Sequence, residues 1–213
     1  MKSNLKKYLF TTIVILIPIA VIAAFLYPSQ ETNTLQDTDQ SFEQIKKEAK
    51  EGNAATQFNL GKMYLFGDGV EQDYNQAFHW FLKSAEQGNE SAQVILGDMY
   101  YEGIGTEQDL KQAFYWTQKS AKSGNVDAQV QLGRFYHEGI GIDVDLEQAF
   151  YWTKKGTENG DTDAQLVLAF MYEDGDGVEQ DLEQALYWVK IAAENGHPMA
   201  QFALEHLYEA GEE

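Results

Sequence analysis

The sequence repeats itself every 36 residues, and that period constrains the fold more than any other feature. Stretches 53–88, 89–124, 125–160 and 161–196 align without a gap. Several columns are identical in all four. Leu60, Leu96, Leu132 and Leu168 form one, Tyr64, Tyr100, Tyr136 and Tyr172 another, and Trp80, Trp116, Trp152 and Trp188 a third. The chain has only four tryptophans, so chance does not space them evenly. Further identical columns begin at Gln57, Gly67, Gly69, Asp73, Gln76, Ala77 and Gly88.

The chemistry of these columns dictates helix, turn, helix. Thr56, Leu60, Met63 and Tyr64 lie on one helical stripe, which predicts a first helix over 54–66. Gly67-Asp68-Gly69 ends it, because glycine enters the left-handed region without steric cost. Asp73 caps a second helix, with Gln76 at capping-box spacing. Ala77, Trp80, Phe81 and Ser84 share a face, Gly88 stops the helix, and Asn89 caps the next unit. Small Ala77 and Ala85 let helices approach, while the Leu, Tyr and Trp columns fill the space between them. One unit encloses too little interior to fold alone, so units must stack. The expected fold class is all-α, a right-handed α-solenoid of about five helix pairs. A half-unit cap at 41–52 matches a lone second helix, and one at 197–213 a lone first helix. Gly156-Thr157 in the third unit replaces Ser-Ala or Ala-Ala. A helical glycine costs about 1 kcal/mol, so that second helix is expected to be the softest joint.

Ahead of the repeats, residues 1–7 carry Lys2, Lys6 and Lys7, and 8–27 hold no charge. Twenty helical residues rise about 30 Å, the thickness of a bilayer core. Segment 1–27 therefore reads as a signal anchor, with its lysines on the cytoplasmic side and the repeats facing outward. In a bacterium this means a single pass through the inner membrane with the repeats in the periplasm. A cleaved signal peptide, with Val21-Ile22-Ala23 as exit site and a secreted or periplasmic product, is the alternative. Residues 28–40 read as a disordered spacer.

Beyond residue 28 the chain holds 12 basic and 34 acidic residues. Such a surface repels nucleic acid and anionic lipid, so neither is an expected partner of the repeats. It serves solubility or attracts a basic partner. No cysteine is present, which removes disulfides, thiolate metal sites and a cysteine nucleophile. His79, His137, His197 and His206 show no metal-ligand spacing, and no phosphate-loop, nucleophile-elbow or zinc-protease motif occurs. Segment 173–181 looks like a calcium loop, but glycines 175 and 177 fall where side-chain ligands belong. No cofactor or metal is expected.

These columns resemble the Sel-one-like repeat family, a relative of the tetratricopeptide repeats. The second unit shows it best, with Ala92-Gln93, Leu96-Gly97, Tyr100, Gly103, Gly105, Asp109, Ala113, Trp116, Ala121 and Gly124. Thr56 and Ala169 depart from the pattern. The resemblance implies an adaptor that binds a protein or peptide, as part of an envelope or signalling complex, and no enzyme. Alternatives are a hydrolase akin to cysteine-rich relatives, a structural envelope spacer, or self-association through the end units. What varies between units points to the docking surface. On the first helices, away from Leu60, lie Lys62 and Phe66, then Asp98 and Glu102, Arg134 and Glu138, and Phe170 and Asp174. Their mixture suits a groove for a peptide or helix, the alternative being surface drift. On that expectation Arg134 and Phe170 can be changed without loss of stability.

Overall fold

A computed structural model of the chain describes residues 35–210. The apolar run, its lysines and the first part of the spacer lie outside the described residues. Among those residues every regular element is an α-helix: α1 Leu35–Lys50, α2 Ala54–Phe66, α3 Tyr74–Glu86, α4 Glu90–Glu102, α5 Leu110–Lys122, α6 Val126–Glu138, α7 Leu146–Glu158, α8 Thr162–Asp174, α9 Leu182–Glu194 and α10 Ala200–Ala210. The all-helical repeat architecture is as expected, and α2 has the predicted bounds. One boundary differs. Helix α1 starts inside the stretch read as spacer. No Pro or Gly lies between Leu35 and Phe42, and extending a helix already nucleated costs little.

The capping residues act as their chemistry requires. Asn53, Asn89, Asn125 and Asp161 each accept a backbone N–H three residues on, which starts the first helices. Gly67, Gly103, Gly139 and Gly175 close them at φ between 71° and 78°. The chain then folds back on itself. Asp73, Asp109, Asp145 and Asp181 donate their N–H to the carbonyls of Tyr64, Tyr100, Tyr136 and Tyr172 at 2.8–2.9 Å, and cap the second helices with their side chains. The second glycine of the turn has a different task. A Cβ on Gly105 would overlap the Tyr74 carbonyl, and one on Gly177 the Leu146 carbonyl. The turn thus seats on the start of the preceding second helix, and only glycine fits.

The described residues form two compact units, 35–123 and 124–210. In the first, α1 to α5 stack around Leu60, Leu65, Phe81, Leu96 and Met99, with Trp80 and Trp116 also buried. Phe42 packs edge-on to Tyr64 and Phe78 to Tyr100, joining each second helix to the next first helix. In the second, α8 to α10 enclose Leu166, Phe170, Val189, Ala203 and Leu207, and Phe150 meets Tyr172 edge-on. Within hairpins a small residue faces a variable one. Gly61 lies under Phe81, Gly97 under Thr117 and Gly133 under Thr153, so the paired helices nearly touch.

The identical glutamines form a second connection. Gln57 donates its amide to the Ala49 carbonyl at 3.0 Å, and Gln93 to Ala85 at 3.3 Å. Each amide oxygen faces the residue 30 positions on. Gln87 donates to Gln57 at 2.6 Å, Asn159 to Gln129 at 3.4 Å and Asn195 to Gln165 at 3.0 Å. At the fourth such place Ser123 is too short, and the buried Gln93 Oε1 has no partner.

Candidate docking surface

The identical Leu, Tyr and Trp columns are occupied by packing. Leu60, Leu96, Leu132 and Leu168 are fully buried, Trp80, Trp116 and Trp152 nearly so, and Trp188, Tyr100, Tyr136 and Tyr172 partly, with Tyr64 buried. The exposed positions that differ between units are candidates for partner binding.

The expected docking residues divide. Glu102, Glu138 and Asp174, at the ends of the first helices, are exposed, and Lys62 and Phe66 are half-buried. Asp98, Arg134 and Phe170 are not on an open surface: only 6%, 8% and 3% of their area is exposed. Phe170 belongs to the core that α8 shares with α9 and α10. A helix-face argument gives the side away from Leu168 but not what covers it, and here the next first helix does. The expectation that Arg134 and Phe170 can change without cost to stability is therefore corrected. Burial makes both structural positions.

Arg134 and His137 border a cavity of about 10 Å³ with Val130, Gly133, Thr153, Val167 and Met171. That volume admits a water molecule and no metabolite. His137 Nε2 lies 3.1 Å from Asp176 Oδ2, tying α6 to the turn after α8. His197 is buried and has a capping role. The Met199 N–H donates to its Nδ1 at 3.1 Å, so the ring proton sits on Nε2, 3.0 Å from Asp163 Oδ1. Among the described residues no group of three or more His, Asp or Glu could hold a metal ion. Segment 173–181 is a repeat turn whose Asp181 caps α9 and whose Asp176 faces His137.

Exposed apolar side chains were not anticipated as a feature of the turns. Tyr74, Leu110 and Leu182 stand at the starts of second helices, and Ile142 and Val144 on the third turn. Tyr115, Tyr151 and Tyr187 lie outward on the second helices, each edge-on to the following tryptophan at 5.0–5.2 Å. The signal for them was in the same alignment: Val144 stands where three other units carry Gln.

The Sel1 repeat model matches residues 54–89, 90–125, 126–161 and 162–197, and the chain belongs to that family. It is similar to the crystal structure of c5321, a protective antigen of uropathogenic Escherichia coli with an SLR fold, at 40% identity and a TM-score of 0.75. That match covers 81% of this chain and 37% of the antigen. It is also similar to a Sel1 repeat protein from Oxalobacter formigenes, at 35% identity and a TM-score of 0.71, over 85% of this chain and 53% of that one. The chain thus spans between about a third and a half of these relatives. Among curated proteins, none matches. Sel1 repeat proteins in general mediate protein–protein interactions.

Proposed function

We propose that this chain is a non-enzymatic scaffold that holds a protein or peptide on the exposed faces of its repeats, outside the cytoplasm. The observation that carries the reading is the division of the repeat. The Leu, Tyr and Trp side chains identical in every unit are buried or partly buried in packing, whereas variable ones such as Glu102, Glu138, Val144 and Asp174 lie at the surface. The extracytoplasmic placement rests on the sequence of 1–27. Among the described residues no helix is long and apolar enough to cross a membrane, and 1–27 lies outside them.

Cross-linking of the full chain in its native membranes, followed by mass spectrometry, tests this. The expected product is a covalent adduct with another polypeptide through exposed residues such as Glu102 and Glu138. Adducts confined to lipid or to the chain itself would exclude the adaptor reading. Protease added to cells with an opened outer membrane should digest the repeats, and protection of the repeats there would place them in the cytoplasm.

A further inference from the structure

We propose that the edge formed by the turns after α6 and α8, within residues 124–210, docks a cationic segment of a partner protein that also carries aliphatic or aromatic side chains. This rests on the protein-binding reading and adds the chemistry of the partner. Ile142 is 41% exposed, Val144 58% and Leu182 45%. Val144 is the informative residue. Gln72, Gln108 and Gln180 occupy its column in the other units and donate to the carbonyls of Leu65, Tyr101 and Glu173 at 2.7–2.8 Å. A glutamine there is both soluble and tethering. The third turn gives up that bond and presents a branched aliphatic side chain to water instead.

The two turns beside which these apolar groups stand are joined. The turn after α8 is seated on the start of α7 through Gly177 and Leu146, and His137 joins Asp176 across the two turns. Around them stand Asp143, Asp145, Glu147, Glu179 and Glu183, all exposed. No Lys or Arg occurs in 135–153 or in 171–189. With no cation in these stretches to offset them, the carboxylates give the edge a negative field that acts on an approaching charge over a Debye length of about 8 Å in physiological salt. They select a cation and repel phosphate backbones and anionic lipid. A second copy of this chain, with a formal charge of −19, is equally disfavoured. The aliphatic groups add contacts that a purely polar cation leaves unused.

The test uses the full chain in nanodiscs of neutral lipid and two synthetic peptides, one of lysine and leucine, the other with each leucine replaced by serine. The variants are Val144→Gln and the pair Ile142→Thr with Val144→Gln, all residues that sister turns carry, so the fold should hold. The pair should bind the lysine–leucine peptide about tenfold more weakly than the parent, with Val144→Gln between them. The lysine–serine peptide should bind all three proteins alike. Equal affinity of parent and variants for the lysine–leucine peptide would overturn the proposal, as would no binding by the parent. A variant that altered sedimentation of the chain while leaving peptide affinity unchanged would assign the edge to a second copy, against the proposal. If cross-linking still captures a partner in any of these cases, the scaffold reading stands and only this surface falls.

Discussion

At the scale of single residues, two exceptions to the repeat expose what the rule does. Ser123 breaks the glutamine clamp and leaves a buried acceptor unpaired, a state that costs more than a lost bond in water. Ser123→Asn, the residue found at the corresponding places 159 and 195, should restore it. The gain expected is about 0.5–1.5 kcal/mol, a rise of a few degrees in melting temperature, and an unchanged melt would refute the clamp. Asp161 is the other exception, an acid where three units have Asn. Burial raises its pKa, reinforced by the Asp163 charge. The N–H groups of Ala164 and Asp163 oppose without cancelling. A raised folded pKa favours the protonated form, so its stabilising effect is present in acid and lost as pH rises through the folded value. Asp161→Asn keeps a neutral cap and should raise the melting temperature at pH 7. The gain should fade as pH falls below the ordinary carboxylate range, and a gain that persists in acid would contradict this origin.

At the scale of elements, the third unit's second helix carries the clearest tension between local and packed preference. Helix propensity alone makes Gly156 a defect. The structure supplies its reason: a Cβ there would lie 2.7 Å from Val130 Cγ2 and 3.0 Å from Ala164 Cβ, where α7 passes α6 and α8. Gly156→Ala would gain up to about 1 kcal/mol in propensity and lose about 1–3 kcal/mol to overpacking. The variant should melt below the parent, and a higher melting point would show that α7 is limited by propensity instead. Helix bounds, caps and glycine stops were legible in the sequence because each is set by residues within a few positions. The burial of Asp98, Arg134 and Phe170 was not. For Arg134 and Phe170 it depends on what α8 and α10 place beside them, and four aligned units say which face a residue occupies but not what covers it. The start of α1 was missed for a related reason, since a polar stretch without apolar period carries no helical signal of its own even when a neighbouring helix extends through it.

At the scale of the whole molecule, the repeat separates two tasks along one sequence. Within each compact unit, recurring apolar columns join neighbouring helices, so a loss in one hairpin reaches the one beside it. Columns that vary carry charge and the exposed apolar groups on which the proposed docking draws. Adjacent residues Tyr115 and Trp116 fall on opposite sides of that division, 51% and 5% exposed. The most direct measurement is therefore the thermal unfolding of the full chain with either one changed to alanine. Trp116→Ala should cost about 3–5 kcal/mol and lower the melting temperature by roughly 10 °C, while Tyr115→Ala should stay within about 1 kcal/mol of the parent. Equal losses, or the larger one at Tyr115, would contradict the assignment of the recurring columns to packing.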